Sequence, residues 1–365
     1  MPVATPEETI WEIEPHTTAK HQILRKYLDA WFPILGTHNK RLVYLDGFSG
    51  PGRYAGGEPG SPLVALESAG THRATLNAEL VFLFIEERPD RADYLDAEIA
   101  KLKCPRNFKI TVRRGSFADK TGAILDKLDR AGTQLDPTFA LIDPFGFSGI
   151  PYTLIKRLLS KDKCEVFITF MVSWINRFLE SPNEKIKAHI VETFGTEEAI
   201  RVAAGSGDRV TALKNLYQKQ LNKAARFVRY FELRNSDDRV VYYLFFATNN
   251  RLGHMKMKGA MWKVDPLGEF SFSDSTDPNQ KILFPNASMM PLAKQLSARF
   301  LGSGRIPVEQ VEAYVHDETG YLRPHMGEAL SQLESDGKLQ VAELKTDGRR
   351  RRARTYPNEA LVTFL

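Results

Sequence analysis

Apolar and polar positions change period along this chain, and each change marks an element. Ile23, Leu24, Tyr27, Leu28 and Trp31 recur at helical spacing within residues 16–36 and predict a long amphipathic helix. Leu42, Val43, Tyr44 and Leu45 form a short run of strand formers. Residues 79–85 and 164–171 are continuous apolar runs, the pattern of strands buried on both faces. Residues 108–112 and 140–142 read as two further strands. Between them lie helical patterns: one opening at Ser61-Pro62, one over 88–103 with Leu95, Ile99 and Leu102 on one face, and one near 124–128. Residues 179–225 read as a charged helical insertion. Residues 227–233 and 240–247 are strand-like runs joined by RNSDDR, a hairpin signal. Strands alternating with helices predict an α/β fold with a parallel, doubly wound sheet. The hairpin brings the count to seven strands and reverses the last one.

Residues 265–285 are polar and rich in Ser, Asp, Pro and Gly, and read as a linker with at most one strand. Helices are predicted near 289–300, 308–316 and 323–335, the last with Met326, Leu330 and Leu333 on one face. Residues 338–344 and 354–356 then flank a tip, TDGRRRRA. Three helices and a basic hairpin make a winged helix, so the chain divides into domains 1–285 and 286–365. In such a domain the third helix enters a major groove and the wing contacts phosphates. Arg349, Arg350, Arg351, Arg352 and Arg354 are the candidate DNA or RNA contacts; phosphate contacts position a protein and carry no sequence information. A protein-docking platform is the alternative use of such a domain.

Composition sharpens this only in places. The chain has 365 residues, 42% apolar and 26% charged, a globular balance with room for two cores. No apolar run approaches the ~20 residues of a membrane span, and MPVATPEETIWEIEPHT lacks the basic and apolar regions of a signal peptide. Cys104 and Cys164 stand far apart without metal-ligand spacing, so no metal is expected and a reducing cytoplasm is. The net charge of +5 is mild, but the C-terminal arginines concentrate it.

The candidate chemistry centres on residues 41–61, RLVYLDGFSGPGRYAGGEPGS. A buried strand ends on an acid, a glycine-rich turn follows, and a helix begins: the ligand end of a nucleotide-binding α/β fold. Asp46-x-Phe48-x-Gly50-x-Gly52 is neither G-x-G-x-x-G nor a P-loop. It looks like the first motif of S-adenosylmethionine (SAM)-dependent methyltransferases, where the acid and the turn hold the methionine part of the cofactor. Glu86 ends the second strand, where an acid commonly accepts from a ribose diol; Glu87 is the alternative. Asp119, or the Phe117 ring, stands where the adenine is contacted, and a helix-capping aspartate is the other reading. Lys20 and His21 sit in a helix first turn, where a cation opposes the dipole, which invites a place facing cofactor or substrate. Asp143-Pro144-Phe145-Gly146 emerges from the fourth strand, which lies beside the first in a doubly wound sheet. Amino-methylating enzymes carry [D/N/S]-P-P-[Y/F/W] there: the acid or amide and a proline carbonyl orient the amine, and the aromatic stacks on an extruded base. Here the second proline is missing, the aromatic comes one place early, and Phe147 is a rival stacking residue. Trp174, Asn176 and Arg177 are candidates for the crevice rim.

Taken together, these segments resemble the three-Cys-motif partner proteins of bacteria and their phages. The likeness is carried by AKHQILRKYL, YLDGFSGPGRY, GSPL, LIDPFGFSGIP and LFFAT…MKMKGAMW, spread over residues 16–263. It implies a Rossmann-like class I SAM-dependent methyltransferase fold, with a reversed last strand and order 3-2-1-4-5-7-6. It also implies partnership with a protein that carries the three cysteines. A further similarity is to bacterial ribosomal RNA adenine-N6 methyltransferases, on Lys20, His21, Asp46, Gly50, Gly52, Tyr54 and Asp143. That likeness implies SAM as cofactor and an exocyclic amino group of nucleic acid as acceptor. The contrasting expectation is a non-catalytic scaffold for the partner.

Overall fold

The computed structural model describes residues 7–72, 76–202, 205, 207–274 and 288–365. The chain divides into two compact units, Met1–Val264 with Ser271–Gln280, and Asp265–Phe270 with Lys281–Leu365. The boundary expected at 285/286 lies outside the described residues.

In the first unit, parallel strands alternate with helices: α1 (Pro15–Gly36), β1 (Arg41–Asp46), α2 (Ser61–Gly70), β2 (Glu79–Glu86), α3 (Pro89–Ala100), β3 (Phe108–Arg114), α4 (Phe117–Ala131), β4 (Thr138–Ile142), α5 (Tyr152–Leu159) and β5 (Cys164–Phe170). The helices α6 (Val172–Phe178), α7 (Glu184–Phe194), α8 (Glu198–Arg201) and α9 (Arg209–Leu221) follow. They lead into the hairpin β6 (Phe227–Arg234) and β7 (Val240–Thr248), then α10 (Arg251–Val264) and β8 (Ser271–Ser273). The order is β3-β2-β1-β4-β5-β7-β6-β8, with β7 antiparallel to both neighbours. This is the expected Rossmann-like methyltransferase order with one strand more. Three residues of the polar stretch after α10 add β8 to the edge, parallel to β6.

The sheet's central strands β4, β5 and β7 are buried on both faces, which is why they lack polar alternation. One face carries Tyr44, Phe82, Phe139 and Phe246, against which Tyr27 and Trp31 of α1 pack, with Tyr27 centred 5.3 Å from Phe139 and 5.2 Å from Phe246. The other carries Leu45, Ile85, Ala140, Ile142, Val166 and Ile168, in one core with Leu125 of α4, Ile155 of α5, Phe194 of α7 and Leu213 of α9. The insertion thus completes the core as well as lining the crevice above it. The hairpin turn forms as its sequence dictates: the Asn235 side chain accepts from the N–H groups of Asp237 and Arg239, and Asp238 takes φ 58.

The second unit contains α11 (Met290–Phe300), β9 (Ile306–Pro307), α12 (Val308–Glu318), α13 (Arg323–Ser335), β10 (Leu339–Val341) and β11 (Leu361–Phe364) around its own apolar core. Its sheet order is β10-β11-β9, all antiparallel. This is a winged helix, with one correction. The strand returning from the wing is β11, not residues 354–356. The tip closes earlier, where Leu344 bridges Arg350 and Lys345 N–H donates to the Arg349 carbonyl at 2.9 Å.

One buried acid far along β5 from the crevice gives a stability test. Glu165 accepts from the Tyr27 hydroxyl at 2.5 Å and the Thr248 hydroxyl at 2.9 Å. Burial pushes its carboxyl up to about 6 despite those bonds. A raised folded value favours folding fully below the ordinary 4.5, and this contribution is lost as pH rises through about 6. Denaturant melts of wild type and Glu165→Gln between pH 4 and 8 should show the wild type losing roughly 2 kcal/mol more stability across that window. Parallel pH profiles would refute the assignment.

Candidate active site

The register of the two central strands brings the candidate groups together. Asp46 pairs with Leu141 across β1 and β4, so the glycine turn and Asp143 leave adjacent strands at the same end of the sheet. A cavity of about 1220 Å³ opens there. Its inner wall holds the turn from Phe48 to Tyr54, Lys20, Asp143, Pro144, Phe145, Thr169 and Tyr242. Its outer wall holds Trp174, Asn176 and Arg177 of α6, Asp208, Val210 and Thr211 at the start of α9, and the β6–β7 turn. The rim candidates and the insertion therefore both border the crevice.

Two carboxylates hold the turn from beneath. Asp46 is fully buried, and accepts from Phe48 N–H at 3.2 Å and from the Ser61 hydroxyl at 2.7 Å. Burial pushes its carboxyl up to about 7 against the pull of those two bonds. Glu86 accepts from Gly50 N–H and from Arg88 N–H, each at 2.8 Å. The turn needs glycine for a stated reason: Gly52 takes φ +81, and a Cβ there would lie 2.5 Å from Leu95 Cδ1.

The opposite wall is an ion pair. The Lys20 ammonium donates to Asp143 Oδ2, and its Nζ lies 5.6 Å from the centre of the Tyr242 ring. Burial alone would raise the Asp143 carboxyl; the charge of Lys20 and its hydrogen bond outweigh that and hold it below its ordinary value. One turn earlier on α1, buried His16 lies between two carboxylate acceptors, Glu14 at 2.8 Å and Asp274 at 2.7 Å. Those two carboxylates raise the imidazole above 6.5 although burial opposes it. Phe145 is half-buried, with Trp11 centred 5.0 Å away edge-on and the Arg91 guanidinium 5.2 Å from its ring.

The candidates thus separate by position. Lys20, Phe48, Gly50, Gly52, Asp143, Pro144 and Phe145 line the cavity. Asp46, Glu86 and His21 lie behind it: the two acids are engaged by the turn, and His21, buried beside Lys20, is pushed down to about 3 and is neutral. Asp119 is exposed and belongs to the cap of α4, where its N–H donates to the Ser116 hydroxyl at 3.1 Å and its carboxylate accepts from that hydroxyl at 2.7 Å. The helix-capping reading is the one this geometry matches. Phe117 lies buried under Gly47, and Phe147 is in the core against Phe178, so neither ring faces the crevice. Of the wing arginines, Arg349 and Arg350 are about four-fifths exposed. Arg351 is a correction: its side chain is 10% exposed and bonds Glu334 of α13 at 2.8 Å, because the hairpin turns that one residue inward. Among the described residues no group of three metal-ligating side chains occurs, and no helix is long and apolar enough to cross a membrane.

Sequence reading missed Trp11, Arg91, His16, Tyr242 and Asp274. A lone tryptophan in a polar N-terminal stretch was the available signal for Trp11. The others are brought in by packing and carry none.

A family model described as a GMT-like wHTH domain matches residues 271–345, beyond the segments over 16–263 that carry the resemblances above. No curated protein matches the chain in sequence. Among solved structures, protein LPL1258 from Legionella pneumophila is similar at 15% identity and TM-score 0.39, over 65% of this chain and 85% of that one. An O-methyltransferase from Bacillus cereus, crystallised with S-adenosylhomocysteine (SAH), is similar at 12% identity and TM-score 0.36, over 65% and 82%. A Klebsiella pneumoniae protein described as an O-methyltransferase gives 11% and 0.33, over 64% and 88%. The strand order is a stronger observation than any likeness at this level. By its own strand order the first unit is a Rossmann-like α/β unit, and residues 271–345 are similar to a GMT-like wHTH domain.

Proposed function

We propose that this protein is a SAM-dependent methyltransferase acting on an exocyclic amino group of nucleic acid, together with a three-Cys-motif partner. The observation that carries it is the shared cavity of the glycine turn and Asp143 at the switch point of the sheet. The residues present suit the cofactor. The turn is a cradle that a Cβ at Gly52 would fill. The cavity also exceeds the roughly 300–1,000 Å³ usual for one ligand, leaving room for donor and acceptor side by side. Bound there, SAM supplies an activated methyl group on its sulfonium. Phe48, Gly50 and Gly52 would hold it, while Asp46 and Glu86 keep the turn in shape from behind. Lys20 keeps Asp143 ionised, and that carboxylate would accept from the acceptor amine and aim its lone pair. Phe145 offers an aromatic wall to the base.

Nucleic acid contact falls to the wing in this reading. The exposed positions of α13, Pro324, Glu328, Gln332 and Ser335, include no cation. Arg349, Arg350, Arg352 and Arg354 at the tip are exposed. One observation favours the second reading, a non-catalytic scaffold for the partner: Asp143 already has a buried cationic partner in Lys20.

Calorimetry with SAM, followed by transfer of labelled methyl to bulk DNA and RNA with the partner present, tests the enzyme reading. Asp143→Ala should retain donor binding and lose transfer at least ~100-fold. Absence of transfer in the wild type, with host function intact in the variant, would favour the scaffold. Lys20→Met should leave Asp143 buried without its cation, so that its carboxyl rises above the ordinary 3.8. The ionised form is then lost at higher pH, and the acid limb of the rate profile should move upward relative to wild type. An unmoved limb would remove Asp143 from the reaction. For the wing, replacing Arg349, Arg350, Arg352 and Arg354 by Ala should weaken DNA or RNA binding and flatten its logarithmic salt dependence by about three. Arg351→Ala should instead lower the melting temperature, since it breaks the contact to Glu334.

A further inference from the structure

The segment before α1 is built onto the crevice by four separate contacts. The Thr9 hydroxyl donates to Asp90 at 2.6 Å, and the Arg91 guanidinium donates to the Glu8 carbonyl at 3.1 Å. Ala55 N–H, in the glycine loop, donates to the Trp11 carbonyl at 2.8 Å. The fourth contact is the Trp11 side chain itself. Its indole stacks over Arg91, whose Cζ lies 4.6 Å from the ring, and meets Tyr54 at 5.7 Å and Phe145 at 5.0 Å, both edge-on. Its outer edge is 3.7 Å from where a Cβ on Gly50 would stand. A half-buried tryptophan therefore lies against the glycine turn and lines the same cavity as Asp143.

Nothing about folding the sheet requires this. The strap precedes the first helix and adds no side chain to the apolar core around α4, α5, α7 and α9. Its chemistry suits a ligand. Indole is a large, rigid apolar surface with a negative face, attractive to a flat nucleobase and to a cation alike. Arg91 holds the ring in one orientation by stacking on it, so little side-chain freedom remains to be lost on binding.

The geometry points to Trp11 as a donor-binding residue: the N-terminal strap forms the outer wall of the donor half of the cavity, and a sulfonium-bearing nucleoside buries against its indole. This rests on the donor reading given above and adds a residue and a segment to it. Three properties follow. Donor binding perturbs indole emission. Loss of the ring weakens the donor without weakening the fold, because the strap is outside the core. Loss of Arg91 weakens the donor indirectly, by letting the ring turn.

The test uses the full chain with SAM and SAH as probes, by calorimetry and by tryptophan emission. Trp31, Trp174 and Trp262 are the other indoles, and Trp174 also lines the cavity, so Trp174→Phe is the control. The wild type should change emission on binding; Trp11→Phe should lose most of that change and Trp174→Phe should keep it. Trp11→Ala should bind both probes about tenfold more weakly, the loss expected from removing one aromatic wall, with its ligand-free melting temperature little altered. Wild-type affinity in Trp11→Ala, or an emission change that survives in Trp11→Phe, would overturn the assignment while leaving the donor reading standing. A folded wild type that takes up neither probe at millimolar concentration would overturn both.

Discussion

Two buried carboxylates at the ends of neighbouring strands are what the functional end of this protein rests on. Asp46 closes β1 and Glu86 closes β2, and between them they accept from Phe48, Gly50, Arg88 and the Ser61 hydroxyl. A charge without such donors would be too costly in the interior. Here each oxygen has a partner, and each partner belongs to the turn or to the helix start beyond a strand. The acids thus convert a flexible glycine stretch into a surface of defined shape. The price is visible in Asp46, whose carboxyl is raised to about 7. These are residues that shape the site from below, and a ligand on the turn would meet backbone and glycine rather than carboxylate.

The facing wall is organised by the opposite charge. α1 carries His16 and Lys20 one turn apart on the same face, and both point their charge at acids: the adjoining Glu14 and the distant Asp274 for the first, the distant Asp143 for the second. In a crevice of low dielectric such pairs interact strongly, and each group sets the charge state of its neighbour. Lys20 keeps Asp143 ionised and also helps to keep His21 neutral. The helix that covers one face of the sheet is therefore also the element that sets the electrostatics of the site.

The fold was largely legible in the sequence, because its signals are local. Continuous apolar runs for β2 and β5, the Asn235 turn, the Ser61-Pro62 helix start and the tripled helix pattern near the C-terminus each reflect a physical preference of a few neighbouring residues. β8 was legible only as the one strand allowed within the polar linker, since Ser271-Phe272-Ser273 is too short to carry a strand pattern of its own and pairs because the β6 edge is there. The return strand of the wing was misplaced for a related reason. Residues 354–356 look like a flank of the arginine tip, but the pairing partners of Leu339–Val341 are chosen by the apolar positions of Leu361–Phe364, which reach the domain core.

At the site, the sequence by itself determined where β1 and β4 end and which residues follow them. An acid before glycines and an Asp-Pro after a buried strand are constraints of backbone shape, and those are written in order along the chain. The tertiary structure alone decided which side chains meet. It turned Asp46 and Glu86 inward to the turn, gave Asp119 to a helix cap and Arg351 to Glu334, and paired Lys20 with Asp143 across 123 positions of sequence. It also laid Trp11 across the glycine turn. Periodicity reports which face of an element is buried, but not what that face is buried against; charge pairing and ring stacking depend on the latter, and only the folded chain sets them.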